Sequence, residues 1–150
     1  TVPLSIDSSN QDIIAAGLAA CGDQTGRPML NSVALERLDT IELVTRYKAR
    51  TIVTAAGEAS MPSDHGERVE NVLKLVEELR THGVPLTDVY VDGLVFPISV
   101  AADYGNHYLE AVAELRKQFG NQLHNMGKLI QLFYQLLYQQ YDFYSLQKMA

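Results

Sequence analysis

The sequence predicts an α/β protein built on parallel strands, and two observations carry that prediction. Short apolar runs alternate several times with longer amphipathic segments, the pattern of strands joined through right-handed helical crossovers. Polar residues, Asp7, Asn31 and Asp92, also fall at the carboxyl ends of three of these runs, the edge where parallel sheets and barrels gather their ligands. With 150 residues, 47% of them hydrophobic, the chain is long enough to bury a core, and its length suggests one domain.

Taken in order, residues 2–7 (VPLSID) form the first strand and lead into a helix over about 11–21. Ser8, Ser9 and Asn10 stand where helix caps belong, as does Ser32 after the second strand, residues 27–31 (RPMLN), because short polar side chains satisfy the first free N–H groups. A helix is expected over 33–47. Residues 50–55 (RTIVTA) form the third strand. Val69, Val72, Leu73, Val76 and Leu79 then recur at helical spacing through 64–82. Asp64 and Glu67 have capping-box spacing, and Gly83, Val84 and Pro85 stop that helix. Residues 88–96 (DVYVDGLVF) form the fourth strand, followed by a helix over 104–119.

The chain divides at about residue 120. In 121–150 the charged residues are Lys128, Asp142 and Lys148, while Phe133, Tyr134, Tyr138, Tyr141, Phe143 and Tyr144 crowd one stretch. Leu129, Ile130, Phe133, Leu136 and Leu137 make an apolar stripe, which predicts a core or interface helix and favours self-association.

Composition excludes several functions. The net charge of −6 and pI near 5.1 argue against a nucleic-acid partner. No apolar run approaches the roughly 20 residues that span a bilayer, and the first residues lack a signal peptide's basic and hydrophobic regions, so no membrane is expected and the reading is cytoplasmic. The single cysteine, Cys21, sits in an apolar helical pattern and reads as a buried structural thiol of a reducing compartment. His65, His82, His107 and His124 show no zinc-ligand spacing with it, so no metal is expected. Glu58, in the loop after the third strand, either faces the pocket or belongs to an ordinary turn.

The motifs SIDSSN (5–10), MLNSV (29–33) and above all YVDGLVFPISVAADYG (90–105) resemble the pterin-binding domain of methyltetrahydrofolate:corrinoid/iron-sulfur protein methyltransferases, relatives of dihydropteroate synthase. The resemblance covers residues 2–119. It implies a partial (β/α)8, TIM-barrel-like fold of about five βα units, ending in the aromatic-rich helix of 121–150, with two further units expected ahead of the strand at 2–7. It implies that Asp7, Asn31 and Asp92 bind the pterin. That heterocycle presents a 2-amino group and a ring N–H side by side, which a carboxylate accepts as a bidentate pair.

The implied reaction moves the N5-methyl of methyltetrahydrofolate to, or from, a corrinoid (cobalamin) carried by a partner protein. An amine leaves poorly, so N5 must gain a proton or strong hydrogen bond as the C–N bond breaks. The family supplies an asparagine for this from a later loop, and Asn125 in QLHNMGK is the nearest counterpart. Gly93 stands where the family has proline, which frees the backbone beside Asp92. Two alternatives accompany this reading: a catalytically impaired pterin-binding or interaction module, and a dihydropteroate synthase-like enzyme, for which Lys128 is the late cation. Five units cannot close an eight-stranded barrel, so open strand edges predict a homo-oligomer, a dimer in the simplest case.

Overall fold

The computed structural model describes residues 2–21, 26–97, 101, 103–120, 122 and the backbone of 124–125. Its elements are β1 (Ser5–Asp7), α1 (Gln11–Ala20), β2 (Met29–Val33), α2 (Thr40–Tyr47), β3 (Arg50–Thr54), α3 (His65–Thr81), β4 (Val89–Asp92), α4 (Tyr104–Phe119) and β5 (His124–Asn125). The helix expected within 121–150 lies outside the described residues.

All four strand pairings are parallel, and the order in the sheet is the order in the chain, β1-β2-β3-β4-β5. A doubly wound sheet reverses its order so that helices cover both faces. Sequential order with crossovers of one hand instead places the helices together, the arrangement of a partial (β/α)8 barrel.

Strand periodicity divides the residues accordingly. Leu30, Val33, Val53, Val89 and Val91 are buried in one cluster with Ile14 and Leu18 of α1, Ile41 and Val44 of α2, Val72, Leu75 and Leu79 of α3, and Ala111 and Leu115 of α4. Alternation in a strand has period two, so Asn31, Ile52, Thr54, Tyr90 and Asp92 stand on the opposite face.

The opposite edge is tied by charge. Arg27, ahead of β2, donates from Nε to the Lys48 carbonyl ahead of β3 (3.0 Å). Its two Nη groups donate to the Asp88 carboxylate ahead of β4 (3.0 and 2.6 Å). The Asp88 hydrogen bond holds the Arg27 pKa above its ordinary value. This bidentate clamp fixes three strand starts together.

Four expectations are corrected. The helix expected over 33–47 begins at Thr40, because β2 runs on to Val33 and a 3-10 turn, Leu35–Arg37, intervenes. The Thr40 hydroxyl donates to the Arg37 carbonyl (2.6 Å) and closes that turn. The fourth strand ends at Asp92 rather than 96, since Leu94 turns into the left-handed region at φ 57°. Ser32 caps no helix; it is buried within β2. Cys21 is half-buried rather than buried, because it lies at the end of α1, where its thiol donates to the Gly17 carbonyl (3.3 Å).

Candidate functional site

Asp7 and Asn31 are register partners at the ends of β1 and β2. The Asn31 amide Nδ2 donates to Asp7 Oδ2 at 3.0 Å. This is a cross-strand pair of the kind that locks two neighbouring side chains on one face. Asp7 is exposed and Asn31 half-buried, so the pair remains open to a ligand. Asn10, three residues beyond Asp7, caps α1 through Oδ1, accepting from Asp12 N (2.8 Å) and Ile13 N (3.2 Å). The Ser8 hydroxyl accepts from Asn10 N (3.1 Å). The capping work is done by these neighbours and leaves the Asp7 carboxylate to face its strand partner.

The register continues the row from Asn31 to Ile52 and Tyr90. Asp92 pairs with Thr54, two residues further along, about 6.6 Å nearer the carboxyl edge at ~3.3 Å per residue. The three sequence-predicted residues thus share one face and one edge: Asp7 and Asn31 in contact, Asp92 two strands away and one step higher. Parallel barrels place binding residues on this edge.

What holds Asp92 is a residue the sequence reading missed. Asp92 Oδ1 accepts from Leu94 N at 2.9 Å. The following carbonyls are gripped by Arg68 of α3, which is fully buried. Arg68 Nε donates to the Gly93 carbonyl (3.1 Å), Nη1 to the Asp64 carbonyl (2.7 Å) and Nη2 to the Leu94 carbonyl (3.5 Å). Its guanidinium lies 5.1 Å from the Phe96 ring centre, within cation–π range. Burial pushes the Arg68 pKa down from its ordinary value, while the nearby Asp64 charge acts against that shift.

The signal was present in the sequence. Arg68 lies on the same helical stripe as Val72, Leu75 and Leu79, at spacings of four, three and four. A lone cation on an apolar stripe must find acceptors or not fold there.

Gly93 is explained by packing. A Cβ at this position would stand 2.9 Å from Tyr108 Cε2 of α4, so the ring occupies the space a side chain would take. The glycine expected to free the backbone beside Asp92 is instead boxed between Arg68 and Tyr108.

The loop between β3 and α3 is also anchored. Asn71 Nδ2 donates to the Ala55 carbonyl (2.9 Å), and Gly57 N donates to the Ser60 carbonyl (3.0 Å). Glu58 sits exposed in that turn, where its charge reaches Lys74 on α3, which fits the ordinary-turn alternative. In β5, Asn125 is the register partner of Val91, and His124 that of Tyr90. Lys128 lies outside the described residues.

The arrangement gathers two carboxylates and one amide on one face at the strand ends. A carboxylate has about four lone-pair positions, and Asn31 uses one of Asp7's. A family described as "Pterin binding enzyme" matches residues 1–131.

Proposed function

The chain belongs to the pterin-binding enzyme family, and from that premise we propose that it transfers the N5-methyl of methyltetrahydrofolate to, or from, a corrinoid on a partner protein. The observation that carries the reading is the polar set Asp7, Asn31 and Asp92, gathered on one sheet face at the carboxyl edge. Asp92 accepts from the pterin's 2-amino group and adjacent ring N–H, while Asp7 and Asn31, already bonded to each other, take its remaining polar edge. A preorganised set of this kind orients the ring without further side-chain ordering.

In the transfer direction considered, the bond between N5 and its methyl carbon breaks, the methyl passes to cobalt, and N5 keeps the electron pair and gains a proton. The corrinoid supplies a cobalt(I) nucleophile. The chain's own contribution is to position the pterin. Asn125, which the resemblance puts near N5, is the register partner of Val91 on the helix-covered face, opposite Asp7, Asn31 and Asp92, so we do not give it the N5 role. The cytoplasm is the compartment this reading implies.

The test is to mix the chain with methyltetrahydrofolate and free cob(I)alamin and follow the cobalt absorption. Demethylation of the folate by the chain, slowed in Asp92→Ala at subsaturating folate, is expected. Saturable folate binding without any methyl transfer, to free or protein-bound corrinoid, contradicts the methyltransferase assignment and leaves a pterin-binding module.

A further inference from the structure

His65 opens α3, and His107 and Glu110 lie three residues apart on α4, a spacing that puts two side chains on one helical face. One nitrogen from each imidazole and one Glu110 oxygen lie within 4.8 Å of one another. His65 Nδ1 is 3.1 Å from Glu110 Oε2, and His107 Nδ1 is 3.9 Å from the same oxygen. The two rings stack with centres 6.1 Å apart and planes 22° from parallel.

An ion pair accounts for His65 and Glu110. It does not account for His107. Its Nδ1 is buried without a hydrogen-bond partner, and 3.9 Å to Glu110 is too long to be one. A buried imidazole nitrogen costs free energy unless something bonds to it. In the neutral ring, one nitrogen presents a lone pair, the form that ligates metals.

We propose that His65, His107 and Glu110 bind a zinc-class divalent ion. Two imidazoles and a carboxylate are a donor set that Zn2+ accepts at about 2.0–2.2 Å, which in tetrahedral geometry separates ligand atoms by roughly 3.3 Å. The His65–Glu110 separation already meets this, and rotation of two half-exposed or exposed side chains closes the rest. A groove between α3 and α4, lined by Val69 and Leu73 among others, reaches two of the three residues, His65 and Glu110, and gives the ion an entry path.

Such an ion staples the start of α3 to the start of α4. The residue after His107 is Tyr108, whose ring packs on Gly93 beside Asp92, and three residues after His65 is Arg68, which grips the same loop. The ion would brace that loop from behind. The inference stands on these residues alone and does not rest on the pterin reading.

The experiment is a calorimetric titration of the metal-stripped chain with Zn2+ alone, repeated with Co2+ to read its visible absorption. One ion per chain is expected. Removing a ligand should weaken binding at least as much as loss of a supporting contact, ~10–100-fold, in each of His65→Ala, His107→Ala and Glu110→Gln, with His82→Ala unchanged. Zn2+ should also raise the melting temperature of the parent and of His82→Ala but not of the three ligand variants. His65 is exposed, so circular dichroism is expected to show His65→Ala folded and its result to stand on its own. No binding by the parent, or binding undiminished in His65→Ala, overturns the proposal, the latter meaning an adventitious ion only.

Discussion

Arg68 brings a full charge into the core and meets three carbonyl oxygens there. Arg68→Met keeps most of the volume but removes the donors. Each acceptor left unpaired costs ~1–3 kcal/mol, so the melting temperature should fall by at least about 6 °C for the three together, at ~2–4 °C per kcal/mol for a chain of this size. Pterin affinity should fall with it, because the loop beyond Asp92 loses its anchor; unchanged stability in a thermal melt would contradict this role. On the proposed reading, Asp92→Ala removes a ligand contact directly. The same ~1–3 kcal/mol penalty for an unpaired polar group predicts roughly 5- to 150-fold weaker binding, read by calorimetry. Arg68 was legible as an anomaly of pattern, but its partners were not. Two of the three, the Gly93 and Leu94 carbonyls, come from a loop 25 and 26 residues away that only the β3–β4 pairing brings over the start of α3.

At the scale of elements, helix starts follow local chemistry and were the more legible for it. Asp64 caps α3 by accepting from Glu67 N (2.9 Å), while Glu67 Oε2 reaches back to Ser63 N (2.7 Å). The box seen in the sequence thus closes on Ser63, one residue earlier than the usual partner. The Glu67 N–H lowers the Asp64 pKa below its ordinary 3.8. A lowered carboxylate pKa stabilises the fold above the unfolded value and loses that contribution as pH falls through the folded one. The stability gap between the parent and Asp64→Ala, measured by denaturant unfolding, should therefore be full near neutrality and shrink below about pH 3.8. Asn10→Ala should cost ~1 kcal/mol through loss of the α1 cap. The second helix was misplaced because Val33 and Leu35 continue an apolar pattern that suits strand and helix equally, and periodicity over so short a run does not separate them. The histidine cluster was invisible for a related reason: His65 and His107 stand 42 positions apart, and only the packing of α3 on α4 unites them.

For the whole molecule, the alternation of strands and helices established the class, and the strand order established the barrel-like winding. The three strand-end residues could be named from the sequence because parallel sheets bind at that edge whatever their closure. That Asp92 stands a step above the Asp7–Asn31 row depends on inter-strand register, which no local signal encodes. Self-association is our proposal for this stretch of chain taken by itself. β1 is a short, mostly exposed strand at the sheet edge, with Val2 and Leu4 exposed before it, and such edges invite pairing. Light scattering at micromolar concentration should report a dimer or larger species, and a monodisperse monomer would refute this. The central claim is that the Asp7, Asn31 and Asp92 set holds a pterin. Its most direct test is calorimetric titration of the chain with methyltetrahydrofolate beside Asp92→Ala and Asp7→Ala. Saturable one-to-one binding, weakened in both variants while their folds persist, is the predicted result; no binding, or equal binding in all three, would contradict it.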